Sequence, residues 1–496
     1  MSQLHLTNSL TRQKEKFEPL NAPYVGMYVC GPTVSGESHL GHARPYVTFD
    51  VVFRYLKYLG FKVRYVRNIT DAGHFEEEGR EAEDKVSKKA KLEQLEPMEL
   101  VQKYTNMFHD AMDNLGNERP SIEPTATGHI VEQIGMIQDI IKKGYAYEAN
   151  GSVYFDVTKY AQGNDYGKLS GRVIEEMIAG SRELEGQGEK RNPADFALWK
   201  SAPPEHIQRW QSPWGEGFPG WHIECSAMAT KYLGTPFDIH GGGMDLQFPH
   251  HESEIAQTKV ATGKTPVKYW MHNNMITING RKMGKSYNNT ITLRELFCGG
   301  HEQLAQAYHP MVVRFFILQT HYRSTLDFSN AALSSAEKGF ERLMTAYALS
   351  QQLSHQAGNT DAQLDADVKR LCAACHDQMN DDFNTAQVMA TLFELASTVY
   401  SIKHGQISPS ALSQDTFTLL QQTMKLFVND ILALKPVSQQ NENGKMSGVI
   451  NVLIELRKEA KAKKDYATSD AIRNKLVEAG VQLKDEKDGT VSWSLN

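Results

Sequence analysis

The sequence has 496 residues, of which 40% are hydrophobic and 23% are charged. This length and composition exclude a largely disordered chain, and we expect two to four globular domains. The formal net charge of -6 excludes a protein that is basic over its whole surface, although a local basic surface fits within that sum. Five irregularly spaced cysteines, the absence of a secretory-signal pattern and the absence of a membrane-length apolar run favour a cytoplasmic location.

A βαβ unit is predicted near the N-terminus. The stretches "PYVGMYVC" (Pro23 to Cys30) and "KVRYVRNIT" (Lys62 to Thr70) have the composition of strands, and "TFDVVFRYLKYLG" (Thr48 to Gly60) between them has helical spacing. Units of this kind build parallel sheets, and ligands lie where the carboxyl ends of the strands meet helix N-termini. The residues that follow the first strand are therefore candidates for a binding site.

The next segments predict that this sheet continues after an insertion. Isoleucines at helical spacing predict a helix over 130–141 that Gly144 ends, and "GSVYFDV" (Gly151 to Val157) predicts a strand. From Gly163 to about Pro219 the chain is rich in Gly, Pro and charge, which indicates an insertion in which we recognise no further domain. The sheet is expected to resume at "FDIHGGG" (Phe237 to Gly243).

The C-terminal part of the chain is predicted to be mainly helical. Beyond Asn330, long segments rich in Ala, Leu and Gln are typical of a helical bundle. The stretch "KPVSQQNENGK" (Lys435 to Lys445) interrupts that pattern and indicates a linker. The tail opens with a helix-like stretch and closes with the β-like "GTVSWSLN" after Asp488, so we expect a small mixed α/β domain.

Two motifs have residue types that suit the phosphates of a nucleotide. His39 and His42 in "HLGH" lie at a predicted helix N-terminus, where free N–H groups and the helix dipole attract anions; packed or surface histidines are the alternative. Lys282 and Lys285 in "RKMGKS" form a cationic loop that suits a polyphosphate, and a solvated basic turn is the alternative.

A run of three glycines follows the strand predicted at Phe237 to Gly243. Glycines around Gly242 allow a nucleotide to approach the backbone closely, and Asp245 can accept a hydrogen bond from a ribose hydroxyl. A plain tight turn explains the glycines equally well.

Four residues that are far apart in the sequence form a candidate zinc site. His250 and Glu254 in "FPHHESEI" are four residues apart, so on a helix they share one face, whereas the two residues after His250 are expected to point elsewhere. Cys225, at the start of a helical stretch in "GWHIECSAM", and Cys30 supply two thiols. Thiolate, imidazole and carboxylate are suitable zinc ligands, and buried free cysteines are the alternative.

Taken together, "HLGH", "KMGKS", "GWHIEC", "HGGGMDL" and "FPHHESEIAQ" resemble the motifs of the cysteinyl-tRNA synthetases, which are class I aminoacyl-tRNA synthetases. "HLGH" is similar to the class signature HIGH and "KMGKS" to KMSKS, with Gly284 in place of a serine. The resemblance runs nearly end to end. "MNDDFNT" (Met379 to Thr385) is similar to the family's helical region and "ATSDAIRNKL" (Ala467 to Leu476) to its anticodon-binding part.

The resemblance implies zinc-dependent recognition of L-cysteine. It implies one Zn2+ per chain with the substrate thiolate as a further ligand, and it assigns the metal to Cys30, Cys225, His250 and Glu254. It implies that ATP binds with Mg2+ against the following residues: His39, His42, Lys282, Lys285, Gly242 and Asp245. It places the cysteine substrate near Thr70, Trp221 and His240. The segment after Asp71 departs from the family's pattern, so no role is carried over to it.

The implied fold class is α/β: a Rossmann-type parallel-sheet catalytic domain with an insertion, then an α-helical bundle and a small C-terminal mixed α/β anticodon-binding domain. The expected ranges are 1–145 and 220–275 for the two halves of the catalytic domain, 146–219 for the connective insertion, 276–330 for the KMGKS loop and stem-contact region, 331–434 for the bundle and 445–496 for the anticodon-binding domain. Basic residues of "RKEAKAKKDY" suit tRNA phosphates. The candidate anticodon contacts are Lys461, Tyr466, Asp470 and Asp485.

The implied reaction has two steps: cysteine and ATP form cysteinyl-adenylate, and the acyl group then passes to the 3' end of tRNA(Cys). No obligatory protein partner is evident. A cysteine:amino-sugar ligase of the same superfamily is an alternative, although such relatives lack the anticodon-binding tail. A non-catalytic, zinc-containing RNA-binding protein derived from a synthetase is a second alternative, against which the intact "HLGH" and both loop lysines argue.

Overall fold

The computed structural model describes residues 3–73, 89–90, 95–173, 189–203, 206–284, 287, 289–437, 450, 452–461, 463, 465–479, 481–485 and 491–495. The chain divides into two compact units, Met1–Lys435 and Pro436–Asn496. Every helix within the described ranges is too short or too polar to cross a membrane.

The strands in chain order are β1 His5–Asn8, β2 Gln13–Lys16, β3 Tyr24–Val29, β4 Lys62–Arg67, β5 Ala146–Ala149, β6 Ser152–Phe155, β7 Phe196–Ser201, β8 Gly217–Pro219, β9 Phe237–Gly243, β10 Val267–Asn273, β11 Ile276–Ile278, β12 Arg281–Lys282, β13 Leu326–Phe328, β14 Val481–Asp485 and β15 Val491–Leu495. The α-helices are α1 Leu40–Tyr58, α2 Pro97–Asn114, α3 Ile130–Lys142, α4 Val157–Ala161, α5 Trp221–Leu233, α6 Glu252–Thr262, α7 Leu293–Cys298, α8 Pro310–Leu318, α9 Asn330–Gln352, α10 Ala362–Asn380, α11 Thr385–Lys403, α12 Gln414–Met424 and α13 Tyr466–Glu478.

The first unit is built on a four-stranded parallel sheet with the strand order β10-β9-β3-β4. Helices lie on both of its faces. Gly241 of β9 approaches Phe49 of α1, whereas Gly26 of β3 approaches Leu233 of α5. Because Gly241 pairs with Val29, three positions along β3 from Gly26, the two glycines face opposite sides of the sheet. The Rossmann-type, doubly wound fold that the sequence predicts is confirmed.

Helix α1 begins at Leu40, eight residues before the stretch with helical spacing that starts at Thr48, and at the helix N-terminus expected for "HLGH". Gly41 and Pro45 in its first turns mislead a pattern-based prediction, because both residue types usually mark the end of helices. The earlier start matters for function. It makes His39 the residue that caps the helix and places His42 in the first turn.

The insertion contains a four-stranded antiparallel sheet, β5-β6-β7-β8, that the sequence does not predict as a separate sheet. Trp199 of β7 is fully buried, and the rings of Phe155 and Phe196 stack at 4.9 Å. Pattern analysis misses this sheet because β7 is buried along most of its length and therefore lacks alternation, and β8 has three residues.

A three-stranded sheet, β12-β11-β13, follows the parallel sheet, and it carries the segment that leads into "KMGKS". β13 runs parallel to β11, and β12 returns antiparallel to it. Helices α9 to α12 then form the bundle that the sequence predicts beyond Asn330. A π-helical stretch, Lys425–Ile431, closes the bundle.

The second unit has a helical stretch at 452–461, helix α13 and the antiparallel hairpin β14-β15. Its apolar core consists of Ile450, Ile454, Leu476, Val481 and Leu483. The predicted tail therefore has its helix and strand elements. The predicted linker Lys435 to Lys445 lies mostly outside the described residues, which end at 437 and resume at 450.

Candidate metal centre and nucleotide site

The four predicted zinc ligands lie in one buried cluster. The Sγ atoms of Cys30 and Cys225 are 3.9 Å apart. Glu254 Oε1 is 3.8 Å from Cys30 Sγ and 3.2 Å from His250 Nε2. All four donor atoms lie within 4.8 Å of one another, so a single ion can contact all of them.

Each ligand is placed by a different local structure. Cys30 follows the carboxyl end of β3, and Cys225 is in the second turn of α5. His250 lies in the turn Gln247–His251, which is kinked because Phe248 has extended backbone angles, and Glu254 is in the first turn of α6.

The donor set suits zinc. Thiolates about 2.3 Å from a tetrahedral zinc ion lie about 3.8 Å from each other, close to the separation of the two sulfur atoms here. Burial raises the pKa of the Cys30 thiol well above its ordinary value. A divalent cation acts in the opposite direction, because cysteine binds metal as the thiolate. A hard cation such as Mg2+ prefers a cage of oxygen atoms and would fit these ligands poorly.

His251 also reaches this cluster, and the expectation that it points elsewhere is wrong. Its Nε2 lies 3.2 Å from Cys30 Sγ, and Cys30, His240, His251 and Glu254 form a second group of donors within the same limit. The physical reason is that residues three apart on a helix share a face just as residues four apart do. Glu252 does turn away, since its carboxylate accepts hydrogen bonds from Ser170.

The predicted cysteine-binding residues border the cluster. Trp221 is 37% exposed at the start of α5, and its ring is 4.5 Å from the ring of His250. His240 Nε2 is 2.9 Å from Glu254 Oε2. Thr70 is one step further away: it accepts a hydrogen bond from Asn68, whose Oδ1 lies 3.7 Å from Cys225 Sγ. An exposed aromatic ring beside buried polar side chains is a combination that small-molecule sites often contain.

Three buried polar residues of this region are not predicted from the sequence. Asn68 accepts a hydrogen bond from the backbone N–H of Gly31, and Glu224 accepts one from Thr70. His272 contacts His251 through a hydrogen bond of 2.8 Å. The signal that points to Asn68 is its place directly after β4, at the same edge of the sheet as Cys30.

The two histidines of "HLGH" lie against each other at the start of α1. Their rings stack with centroids 3.7 Å apart, and the backbone N–H of His39 donates to Nδ1 of His42. Burial, together with the neighbouring His39, lowers the pKa of His42 to about 3. His42 is therefore neutral at physiological pH.

The KMGKS segment lies beside "HLGH". A Cβ atom placed on Gly41 would lie 2.6 Å from Cε of Met283, the flexible end of that side chain, so the two segments approach each other closely here. Asn289 holds the described part of the loop, since it accepts from the N–H of Gly284 and donates to the carbonyl of Lys282. Lys282 is exposed. Lys285 lies outside the described residues.

The glycine run at the end of β9 packs against the cluster of candidate metal ligands. A Cβ on Gly242 would lie 2.8 Å from the ring of His251, so packing alone already requires glycine here. Asp245 is exposed in the 3-10 turn Met244–Leu246 that follows.

In the second unit, the candidate anticodon residues are found on its helical part and its hairpin. Tyr466, at the start of α13, is 62% exposed, and Lys461 and Asp470 are exposed as well. Asp485 ends β14, and its side chain is outside the described set. Their role as anticodon contacts stays a prediction.

Comparisons with known proteins agree with this geometry. Residues 16–338 match the family described as "tRNA synthetases class I (C) catalytic domain", and residues 374–434 match the DALR domain. Cysteine--tRNA ligase of Bacteroides thetaiotaomicron is 57% identical over 496 residues, which is 100% of this chain and 99% of that one. The Porphyromonas gingivalis protein of the same name is 55% identical, with 99% of each chain covered.

Solved structures show the same fold at low sequence identity. Mycobacterium tuberculosis methionyl-tRNA synthetase in complex with methionyl-adenylate has a TM-score of 0.56 at 12% identity, covering 83% of this chain and 90% of that one. A ternary complex of Agrobacterium radiobacter K84 agnB2 LeuRS with tRNA and LeuAMS has a TM-score of 0.56 at 13% identity, covering 84% and 85%. Because the class I catalytic-domain family spans residues 16–338 and the relatives align from end to end, the chain belongs to the cysteine--tRNA ligase family of class I tRNA synthetases.

Proposed function

We propose that this chain activates L-cysteine with ATP, transfers the cysteinyl group to the 3' end of tRNA(Cys), and uses one zinc ion to select the thiolate. The observation that carries the proposal is the buried cluster of Cys30, Cys225, His250 and Glu254 beside the exposed ring of Trp221. A site that must accept a thiol and reject a hydroxyl group is well served by a metal ion that prefers sulfur ligands. End-to-end similarity to cysteine--tRNA ligases supports the same substrate.

The proposed reaction transfers groups without redox change. A carboxylate oxygen of cysteine attacks the α-phosphorus of ATP, the bond to the bridging oxygen breaks, and pyrophosphate leaves. A hydroxyl of the terminal ribose of tRNA then attacks the carbonyl carbon, and AMP leaves with the bonding electrons. Little covalent help from the protein is needed, so positioning and electrostatic stabilisation carry most of the rate.

Zinc held by these four residues would supply a Lewis-acid contact that prefers a thiolate over a hydroxyl group. Cysteine and serine differ by one atom, and a shaped apolar pocket separates such near-isosteres by only about 1–3 kcal/mol. Trp221 borders the site with its ring 4.5 Å from that of His250, while His240 keeps Glu254 in place through its hydrogen bond of 2.9 Å.

The nucleotide is proposed to lie between the start of α1 and the KMGKS loop. His39 and His42 meet the phosphates at the helix N-terminus, and Lys282 stabilises the charge that grows on departing pyrophosphate, together with Lys285 and with Mg2+ that enters bound to ATP. Because His42 is neutral, it contributes hydrogen bonds, and the lysines contribute the positive charge. Gly242 and Asp245 are proposed to contact the nucleoside.

The second unit is proposed to read the anticodon. Exposed Lys461 suits a tRNA phosphate, exposed Tyr466 suits stacking on an unpaired base, and Asp470 and Asp485 are candidates for base contacts. We also propose the domain boundaries expected from the sequence. In support, the strands β5–β8 fall within 146–219, and the apolar core of the second unit falls within 445–496.

A cysteine-dependent exchange of pyrophosphate into ATP, measured with and without tRNA(Cys), tests the proposal. We expect exchange with cysteine, much less with serine, and charging of tRNA(Cys) but not of an amino sugar. Exchange accompanied by ligation of cysteine to an amino sugar, without charging, would favour the alternative ligase. No exchange at all would favour a non-catalytic RNA-binding protein.

A further inference from the structure

Arg44 is a buried cation in the first turns of α1, two residues after the second histidine of "HLGH". Its side chain is 1% exposed, and burial lowers its pKa to about 10, so it remains charged at neutral pH. The guanidinium donates to four backbone carbonyls: Met275 at 2.6 Å, His321 and Tyr322 at 3.3 Å each, and Ser324. All four acceptors are backbone oxygens, so these hydrogen bonds hold segments of the chain in place rather than side chains.

These carbonyls belong to the segments that lead into β11 and β13. Met275 precedes β11, and the 321–324 loop precedes β13. The two segments are also bonded to each other, since Leu326 N–H donates to Met275 O at 3.2 Å and Asn274 N–H donates to Tyr322 O at 2.8 Å. Arg44 therefore binds the parallel strands β11 and β13 at the end where both strands begin.

The strand pair continues directly to the catalytic loop. After β11 the chain turns at 279–280 and returns as β12, in which Lys282 pairs with Thr277. Asp327 of β13 fixes this turn, because its Oδ1 accepts from Thr277 Oγ1 at 2.6 Å and from Gly280 N–H at 2.7 Å. A displacement of the strand pair relative to α1 thus moves Lys282 relative to His39 and His42.

The 321–324 loop is held from its other side by Asp382, in the turn between α10 and α11. Its buried carboxylate accepts from Tyr322 OH at 2.6 Å and from Arg323 Nε at 2.7 Å. Asp382 and its neighbour Phe383 have positive φ angles of 65° and 52°, which residues with a side chain rarely adopt. The 321–324 loop, whose carbonyls bind Arg44, is consequently fixed to the helical bundle.

We propose that Arg44 is a positioning residue that sets the place of Lys282 relative to the "HLGH" histidines for adenylate formation. The inference rests on the proposed function, and it adds a role to a residue outside the metal and signature positions. Arginine suits this role because its planar fork offers five N–H donors, whereas a lysine ammonium has three donors on a flexible stem and cannot span the same four acceptors. Small displacements of catalytic groups have large effects on rate.

The test is pyrophosphate exchange with the full-length chain and the Arg44→Lys variant, which keeps the charge and loses the fork. We expect kcat for exchange to fall at least about tenfold, while the KM for cysteine and the zinc content stay within about twofold of the unsubstituted protein. A double-mutant cycle with Lys282→Ala isolates the mechanism. If Arg44 acts by placing Lys282, the effect of Arg44→Lys shrinks to less than about twofold when Lys282 is already absent.

Arg314→Lys is the matched control. Arg314 is also fully buried and donates to the backbone carbonyls of Leu115 and Leu432, and to the side chains of Asn117 and Asp50. Asp50 lies in the middle of α1, away from its first turn, and the hydrogen bonds of Arg314 within the described residues do not reach the segments before β11 and β13. We expect this variant to lower thermal stability without changing exchange more than about twofold. Independent, additive effects of Arg44→Lys and Lys282→Ala, or an equal loss of exchange in Arg314→Lys, would overturn the proposal.

Asp382→Asn is a second variant that loosens the same loop without altering Arg44. We expect it to reduce exchange by a smaller factor than Arg44→Lys, and to lose that effect in the Lys282→Ala background. Unchanged exchange in a folded Asp382→Asn protein would also count against the proposal, because the 321–324 loop would then not transmit its position to Lys282. Absence of cysteine-dependent exchange in the unsubstituted chain would instead reject the proposed function.

Discussion

At the scale of single residues, Cys225 offers the cleanest test of metal-based selection. Replacing Cys225 by serine should lower zinc content and reduce the preference for cysteine over serine, because a hydroxyl group stays protonated and binds zinc weakly. The measurements are metal analysis and the ratio of kcat/KM values in pyrophosphate exchange with the two amino acids. Cys298→Ser is the matched control, since Cys298 is exposed and lies outside the cluster. Unchanged selectivity in Cys225→Ser would refute the account.

His250 and His251 distinguish the two groups of metal donors. Both groups share Cys30 and Glu254, and they differ in whether the remaining donors are Cys225 and His250 or His240 and His251. We predict that His250→Ala loses the single zinc ion per chain and that His251→Ala retains it, because a site with two thiolates suits zinc better than a site with one. Metal analysis of both variants decides. Zinc retained in His250→Ala and lost in His251→Ala would assign the metal to the second group.

Lys282 is expected to act on the transition state rather than on cysteine binding. Lys282→Ala should slow adenylate formation by about 10²–10³-fold, because its charge is needed as pyrophosphate leaves. The KM for cysteine should change little. Pre-steady-state adenylate formation measures the effect, and Lys264→Ala, at an exposed lysine after α6, is the control. A rise in the cysteine KM with unchanged kcat would show that the loop is misassigned.

The residues of the site divide according to how far sequence alone could predict them. The spacing of Cys30, Cys225 and His250 in the chain does not bring them together. Their side-chain chemistry suggested the grouping with buried free cysteines as the alternative, family resemblance favoured it, and the fold places their donor atoms within 4.8 Å of one another. His251 and Asn68 were missed for a physical reason. Their role depends on which side of a turn or strand end faces the cluster, and that direction is fixed by tertiary packing.

At the scale of elements, α1 is anchored by a buried ion pair as well as by Arg44. Asp50 Oδ2 lies 2.6 Å from Arg314 of α8, and both side chains are almost fully buried. Asp50→Ala should lower the free energy of unfolding by about 3–5 kcal/mol, because it leaves the Arg314 charge buried without its partner. Urea denaturation measures the change.

The control for this prediction is an exposed ion pair of similar geometry. Arg119 and Asp113 form such a pair, with each side chain about half exposed. Asp113→Ala should change stability by about 0–1 kcal/mol, since solvent screens exposed pairs. A loss in Asp50→Ala no larger than that in Asp113→Ala would show that the buried pair does not anchor the helix.

Elements were predictable where local pattern and tertiary role agree. The stretch "FDIHGGG" forms β9 over Phe237–Gly243 as expected. The spacing of the isoleucines predicted the helix α3. Where tertiary packing overrides the pattern, prediction failed. α1 continues through Pro45, and the N–H of Leu40 in its first turn donates to the carbonyl of Ile291, which lies far away in the chain. The insertion sheet has strands too short or too buried to show alternation.

At the scale of the whole molecule, the two compact units separate the proposed chemistry from the proposed anticodon recognition. The first unit, Met1–Lys435, contains every residue assigned to zinc, ATP and cysteine. The second unit contains all four candidate anticodon residues and has an apolar core of its own. The change in composition at Lys435 predicts a linker there, because linkers are polar and lack periodic apolar residues.

Truncation after Gly444 should therefore leave cysteine activation within a few-fold of the full-length chain and severely reduce charging of tRNA(Cys). Activation needs the first unit alone, whereas charging also needs phosphate contacts to position the tRNA and base contacts to select its anticodon. The comparison is pyrophosphate exchange against aminoacylation in both proteins, with unmodified and anticodon-mutant tRNA at one fixed salt concentration, since phosphate contacts weaken with salt. If the truncated protein charges tRNA as well as the full chain and with the same anticodon preference, the second unit does not read the anticodon, and the amino-sugar ligase regains support.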